Sequence, residues 1–203
     1  MDISKINKII DECKDVNLVV ASKYIDSDKM LELYNLGIKN FGENRVDSFI
    51  IKHEELKDYD ISWHFIGHLQ SNKAKKIIND IDFLHSLDSL KLAALINKER
   101  KEKLKCFVEV HMTSSITKNG VKKEDLKDFI EEIKKYDKIE LIGLMTMTEE
   151  DQSEEEKYQI FKELKSLASQ YQLNELSMGM SQDYKEAIKA GATYVRLGRI
   201  ICY

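Results

Sequence analysis

Eight short apolar runs, each separated from the next by a longer amphipathic stretch, constrain this chain more than any single residue does. The runs are NLVVAS, KNFGE, ISWHFIG, DFLHSL, KCFVEVHM, IELIGLMTM, ELSMG and TYVRLG. Between them lie segments such as SDKMLELYNLG, DSLKLAALINKERKEK, KEDLKDFIEEIKKYD and SEEEKYQIFKELKSLASQY. Their apolar residues recur at three and four spacing, the period of a helix with one buried face. Ser27, Asp88, Ser153 and Ser181 stand where a side-chain oxygen would cap a helix start. Strand then helix, repeated without a composition break, predicts a parallel sheet, because parallel neighbours need crossover connections. Eight strands need seven connecting helices, and an opening helix over about Ile3 to Cys13 fills the remaining outer slot. The expected fold is therefore a (β/α)8 barrel forming one domain over residues 1–203. An open, doubly wound sheet is the alternative, but it would usually carry a glycine-rich first turn, and VASKYIDS has none. KNG, Lys118–Gly120, marks a turn after the fifth strand.

Charge and cysteine usage narrow the function classes. A net charge of -4 with 33% charged residues leaves no broad basic face for phosphate backbones, so nucleic acid is not an expected partner. Cys13, Cys106 and Cys202 lie far apart without CxxC spacing, which argues against a disulfide framework or zinc site and for a reducing, cytoplasmic setting. The opening MDISKINKIIDECK is amphipathic and carries acids, unlike a signal peptide, and no apolar run approaches a membrane span. Neither export nor a membrane partner is expected.

In such a barrel the chemistry lies at the C-terminal ends of the strands. Lys23 sits at the end of the first, where a lysine amine is a candidate nucleophile toward an aldehyde. At the other end of the chain, LSMGMSQDYKEAIKAG runs a strand into Gly179, then Ser181, then a helix, and VRLGRI adds Gly198 after the eighth strand. Small residues and open amides at a helix start hold phosphate, and barrels often bind it in the loops after strands seven and eight. Asp183, close to that turn, is expected to point away from a dianion. The first and eighth strands become neighbours on closure, so one mouth offers an amine and a phosphate cradle. A ligand with both an aldehyde and a phosphate suits the pair, namely pyridoxal 5′-phosphate.

The segments LVVASK, NFGENRV, WHFIGHLQSNKAK, LHSLDSLKLA, GLMTM, LSMGMSQD and EAIKAGATYVRLG resemble the pyridoxal phosphate homeostasis protein family, relatives of the barrel domain of alanine racemase. The resemblance implies that Lys23 carries the cofactor as an aldimine. It implies that Ser181, Gly198 and the backbone at Arg199 hold the phosphate, that Arg196 approaches the pyridine nitrogen, and that Asn44 and His85 line the pocket. Met180 is expected to pack at the barrel end and touch the phosphate loop. Tyr24 and Arg199 depart from the family's usual threonine and small hydroxyl residue, and the loop after GLMTM carries acids in place of prolines.

The implied role is a carrier in vitamin B6 and amino-acid homeostasis, with pyridoxal phosphate and cofactor-dependent apo-enzymes as partners and the chain acting as a monomer. An arginine at the ring nitrogen weakens the cofactor as an electron sink. Racemisation also needs a second acid or base opposite Lys23, and the sequence offers no added domain to supply it. A small amino-acid racemase remains the alternative, and a cofactor-free Schiff-base aldolase is more remote. Other features read as structural. His64 and His68 lack the glutamate of a zinc motif, with His68 ordering its loop; Asn72–Lys76 reads as a solvated helix face, and the acids of Glu149–Glu156 as a helix start.

Overall fold

A computed structural model describes residues 2–113 and 119–202. Eight of its strands are those expected: β1 (Asn17–Ala21), β2 (Asn40–Glu43), β3 (Ser62–Phe65), β4 (Phe83–Leu87), β5 (Leu104–His111), β7 (Ile139–Met145), β8 (Glu175–Ser177) and β9 (Tyr194–Leu197). They pair in parallel in the order β4-β3-β2-β1-β9-β8-β7-β5, and a further β4–β5 pairing closes the cylinder, which rules out the open sheet. A two-residue strand, β6 (Val121–Lys122), extends β5 on its outer edge and has no counterpart among the eight apolar runs. The KNG turn is described in part: Gly120 has φ of +119°, whereas Lys118 lies outside the described residues.

The crossovers are α2 (Ser27–Asn35), α3 (Val46–Glu55), α4 (Ser71–Ala74), α5 (Leu90–Glu99), α6 (Leu126–Ile133), α7 (Glu154–Gln170) and α8 (Tyr184–Ala190). The opening helix α1 (Ile3–Glu12) packs beside a short terminal one, α9 (Arg199–Cys202), where the ring of helices meets. The apolar core fills the space between strands and helices, with Val20, Leu84, Val108 and Leu144 among its fully buried members.

Helix starts follow charge as often as hydroxyls. Ser153 caps α7 in a capping box with Glu156, as expected. Asp26, one residue before Ser27, caps α2 by accepting from the Lys29 amide at 2.9 Å. Ser89 caps α5, because the neighbouring Asp88 is engaged with His68 Nδ1 at 3.0 Å. Ser181 does not cap α8, which begins three residues later. Its Oγ instead accepts from the amides of Gly198 (3.2 Å) and Ile200 (3.3 Å) across the barrel seam.

Inside the cylinder a layer of rings stands beside aliphatic side chains such as Val19, the register partner of Arg196. Tyr194 on β9 meets Phe107 on β5 with ring centroids 5.2 Å apart, and these strands are not neighbours, so both rings must point inward. His85 stacks on Phe107 at 4.5 Å and His64 on Phe83 at 4.3 Å. This aromatic and imidazole layer plugs the barrel and forms the base on which the C-terminal mouth is built.

Candidate functional site

The mouth holds a cavity of about 490 Å³, within the range of small-ligand sites. Lys23, Asn44, Met180, Ser181, Arg196, Gly198 and Arg199 all line it. His85 does not. It is fully buried one layer below, because alternate residues of β4 step down the barrel axis and the ring is held between His64 and Ser177.

Lys23 reaches the mouth from a turn rather than from the strand itself. After β1 ends at Ala21, Ser22–Tyr24 form one turn of 3-10 helix, leaving Lys23 exposed with Nζ 4.7 Å from the Tyr24 ring centroid. A buried ion pair braces that turn from beneath. Lys52 Nζ, on α3, donates to Glu43 Oε1 at 2.6 Å and to the Ser22 carbonyl at 2.7 Å, while the Ser22 hydroxyl donates to the same carboxylate oxygen at 2.7 Å. The carbonyl just before Lys23 is thereby fixed by a charge-assisted bond.

Arg196 is 5% exposed and forms the floor. Burial pulls its guanidinium down to about 10, so it stays a cation at neutral pH. It donates to Ser177 Oγ and to the Thr146 carbonyl. From Ser177 a chain of hydrogen bonds descends through His85 (2.7 Å) and His64 (2.9 Å) to Asn40 Oδ1 (3.2 Å). With the Asn40 carbonyl accepting, one direction satisfies every atom. His64 donates from Nε2, His85 donates from Nε2 to His64 Nδ1, and Ser177 donates to His85 Nδ1 while accepting from Arg196. Both imidazoles must then be neutral, in keeping with burial, which takes His64 down to about 3 and His85 well below its ordinary value.

The far wall carries Glu109, which sequence reasoning missed. It lies two residues beyond Phe107 on the same inward face of β5, is 4% exposed, and borders the cavity. Burial, with Asp88 adding to it, pushes its carboxyl up to about 7, against the pull of Arg196, His68 and His111. The available signal was a glutamate standing inside an apolar strand run, CFVEVH. Glu43 in NFGE, with Lys52 nine residues on, is a second instance.

The remaining wall is backbone. Gly179 takes φ of +92°, and a Cβ there would lie 2.6 Å from Ala187 Cβ, so the turn into α8 demands glycine. Asp183, expected to turn away, borders the cavity, but its two oxygens are committed to the Met180 amide at 2.6 Å and to the Thr148 hydroxyl. Arg199 reaches outward to Glu150 at 3.1 Å. Among the described residues no group of three His, Cys, Asp or Glu side chains could hold a metal, and no helix is long and apolar enough to cross a membrane.

These residues fit a phosphorylated aldehyde on chemical grounds. A free-standing amine, a fixed cation and a turn already holding an oxygen at the Gly198 and Ile200 amides share one cavity. Asn44 Oδ1, in the same wall, is buried and has no hydrogen-bond partner among the described residues, so it has an acceptor to spend on a ligand.

Comparison with known proteins agrees with that chemistry. Residues 7–203 match the family profile "Alanine racemase, N-terminal domain". The pyridoxal phosphate homeostasis protein of Aquifex aeolicus is 39% identical over 193 residues, covering 91% of this chain and 85% of that protein. The Synechocystis protein of the same name is 37% identical over 196 residues, 92% of this chain and 90% of that one. Among solved structures, PipY of Synechococcus elongatus superposes with a TM-score of 0.93 without PLP, at 30% identity and 99% coverage of both chains. Its PLP-bound form gives 0.91 at 31% identity, with 98% of each chain covered. Alanine racemase of Clostridium difficile shares the fold alone, at 17% identity and a TM-score of 0.81, over 98% of this chain and 55% of that one.

Proposed function

Because this chain belongs to the pyridoxal phosphate homeostasis protein family, we propose that it binds pyridoxal 5′-phosphate covalently through Lys23 and serves as a cofactor carrier, passing it to cofactor-dependent apo-enzymes rather than turning over amino acids. One observation carries the reading: an exposed lysine amine opens on the same cavity as the Arg196 cation and the Ser181–Gly198 turn.

Each group has a task suited to its position. Lys23 takes the aldehyde. Ser181 Oγ, held by the Gly198 and Ile200 amides, donates to the phosphate together with the backbone at Gly198 and Arg199, with Met180 beside them, and Asn44 orients the ring from the loop after β2. Arg196 faces the ring nitrogen as a donor and keeps it unprotonated, because a cation beside a base disfavours a second positive charge. When bound, the cofactor supplies an electron sink for carbanions, and an unprotonated ring blunts that capacity. An amine exposed at an open mouth also lets water and other amines reach the linkage, which suits delivery better than sequestered catalysis.

Borohydride reduction of the loaded protein followed by peptide mass spectrometry tests the attachment. A pyridoxyl adduct is expected on Lys23 and lost in Lys23→Ala; an adduct on another lysine of the unmutated protein would overturn the assignment. Turnover is read separately from α-proton exchange in deuterated water. The loaded protein is expected to wash no deuterium into L- or D-amino acids, and sustained exchange would replace the carrier by the racemase.

A further inference from the structure

The position of Glu109 in the barrel gives it a task that the carrier reading leaves unassigned. Counting round the cylinder, β5 is four strands from β1 in either direction, through β2, β3 and β4 or through β9, β8 and β7. Lys23 and Glu109 therefore enter the same cavity from diametrically opposite walls. Glu109 is 4% exposed and borders the cavity. A carboxyl that is nearly inaccessible yet faces the cavity as its bordering residue is placed to exchange protons with whatever the cavity holds.

We propose that Glu109 is the proton-exchanging group of the cavity, accepting, through water or the ligand oxygen held between the two walls, the proton that the Lys23 ammonium must shed before it can attack a carbonyl, and returning it by the same path to the oxygen that departs as water. The proposal rests on Lys23 as the attachment point. Its proton balance closes. Condensation of an ammonium with an aldehyde forms a C=N bond, breaks the C=O bond, releases one water and leaves the net charge unchanged. The proton taken up by the carboxylate at the start is thus given back at the end, and the reverse path serves release.

The electrostatics suit the role, since a group titrating near neutrality is both a competent base and a competent acid, and burial takes Glu109 up to about 7. The charged groups around it are Arg196 from β9, His111 on its own strand, and the His68–Asp88 pair above β3 and β4; Asp183 and the acids Glu149 and Glu150 border the cavity from the loops after β8 and β7. Arg196 draws the titration down, while Asp88 opposes it.

Two measurements test the proposal on the full chain. In the protein without cofactor, infrared difference spectra should show a protonated-carboxyl band titrating near pH 7 and absent from Glu109→Gln. A Glu109 band, identified by its absence from Glu109→Gln, that titrates in the ordinary carboxylate range would overturn the proposal. Stopped-flow absorbance with pyridoxal 5′-phosphate as the probe should show a loading rate with an inflection near pH 7. In Glu109→Gln that inflection should vanish and the rate fall on the order of 100-fold, with Glu109→Asp restoring part of both. Equal rates and equal pH profiles in variant and parent would overturn the proposal while leaving attachment at Lys23 intact. Loss of the Lys23 adduct from the parent protein itself would instead bring down the carrier reading, and this one with it.

Discussion

Lys52 has a role that its distance from the cavity conceals. Its ammonium is one of two donors to Glu43 Oε1 and also holds the Ser22 carbonyl, while Glu43 Oε2 has no partner among the described residues. The Glu43 side chain is fully buried and that of Lys52 11% exposed, so removing the cation would strand a carboxylate in a medium that cannot solvate it. Breaking such a pair from one side costs about 3–5 kcal/mol. Lys52→Met should destabilise by that amount in urea unfolding, and Glu43→Gln combined with Lys52→Met should recover part of it. Because the same ammonium fixes the turn before Lys23, the double variant should load cofactor more slowly even where it is folded. Normal loading by the double variant would show that the brace serves stability alone.

At the scale of elements, loop contacts decide where the site residues point. A Cβ built on Gly67, after β3, would lie 2.4 Å from the Asn44 carbonyl oxygen, so the loops after β2 and β3 touch backbone to backbone. Gly67→Ala must push Asn44 outward, and overpacking of this kind costs about 1–3 kcal/mol. The expected result is a lower thermal midpoint together with weaker cofactor retention in equilibrium dialysis; unchanged retention would remove Asn44 from the ring site. Contacts of this sort also mark the limit of what the sequence discloses. The strand and helix rhythm sets the barrel, and the lysine after NLVVAS and the glycines of LSMGM and VRLG signal the mouth, because each is a local departure from an apolar run. The chain from Arg196 through Ser177, His85 and His64 to Asn40 joins residues 19 to 92 positions apart. It exists only in the pairing register that turns all five side chains inward, and a slip of one residue would turn a strand's contribution outward. His85 is for that reason read from the sequence as a pocket-lining residue, whereas it belongs to a buried chain beneath the site. The caps of α2 and α5 shifted by one residue because Asp26 competes with Ser27 and because His68 holds Asp88.

Taken over the whole molecule, the same buried groups make stability depend on pH in two opposed ways. A histidine whose folded value is depressed supports the fold fully above about 6.5, and that support is lost as pH falls from there towards about 3, since only the unfolded chain takes the proton. His64 and His85 both act in this sense. Glu109 acts in the other: with its folded value raised from 4.5 to about 7, its support is full below 4.5 and is lost as pH rises through 7. Each group contributes a slope of about 1.4 kcal/mol per pH unit within its window. Between pH 4.5 and 6.5 the unfolded chain holds two more protons through the histidines and the folded chain one more through Glu109, which leaves a net rise with pH of about 1.4 kcal/mol per unit from these three groups. Glu109→Gln removes the opposing slope. Its unfolding free energy should exceed that of the parent by a margin that grows from pH 4.5 and levels off above pH 7 at about 3 kcal/mol, all other titrations cancelling in the difference. Parallel curves for variant and parent from pH 4.5 to 8, in urea unfolding at matched ionic strength, would mean that Glu109 ionises as freely in the barrel mouth as in water. A plateau would show that the fold sustains a fixed cost at the position where the cavity needs a carboxyl poised near neutrality.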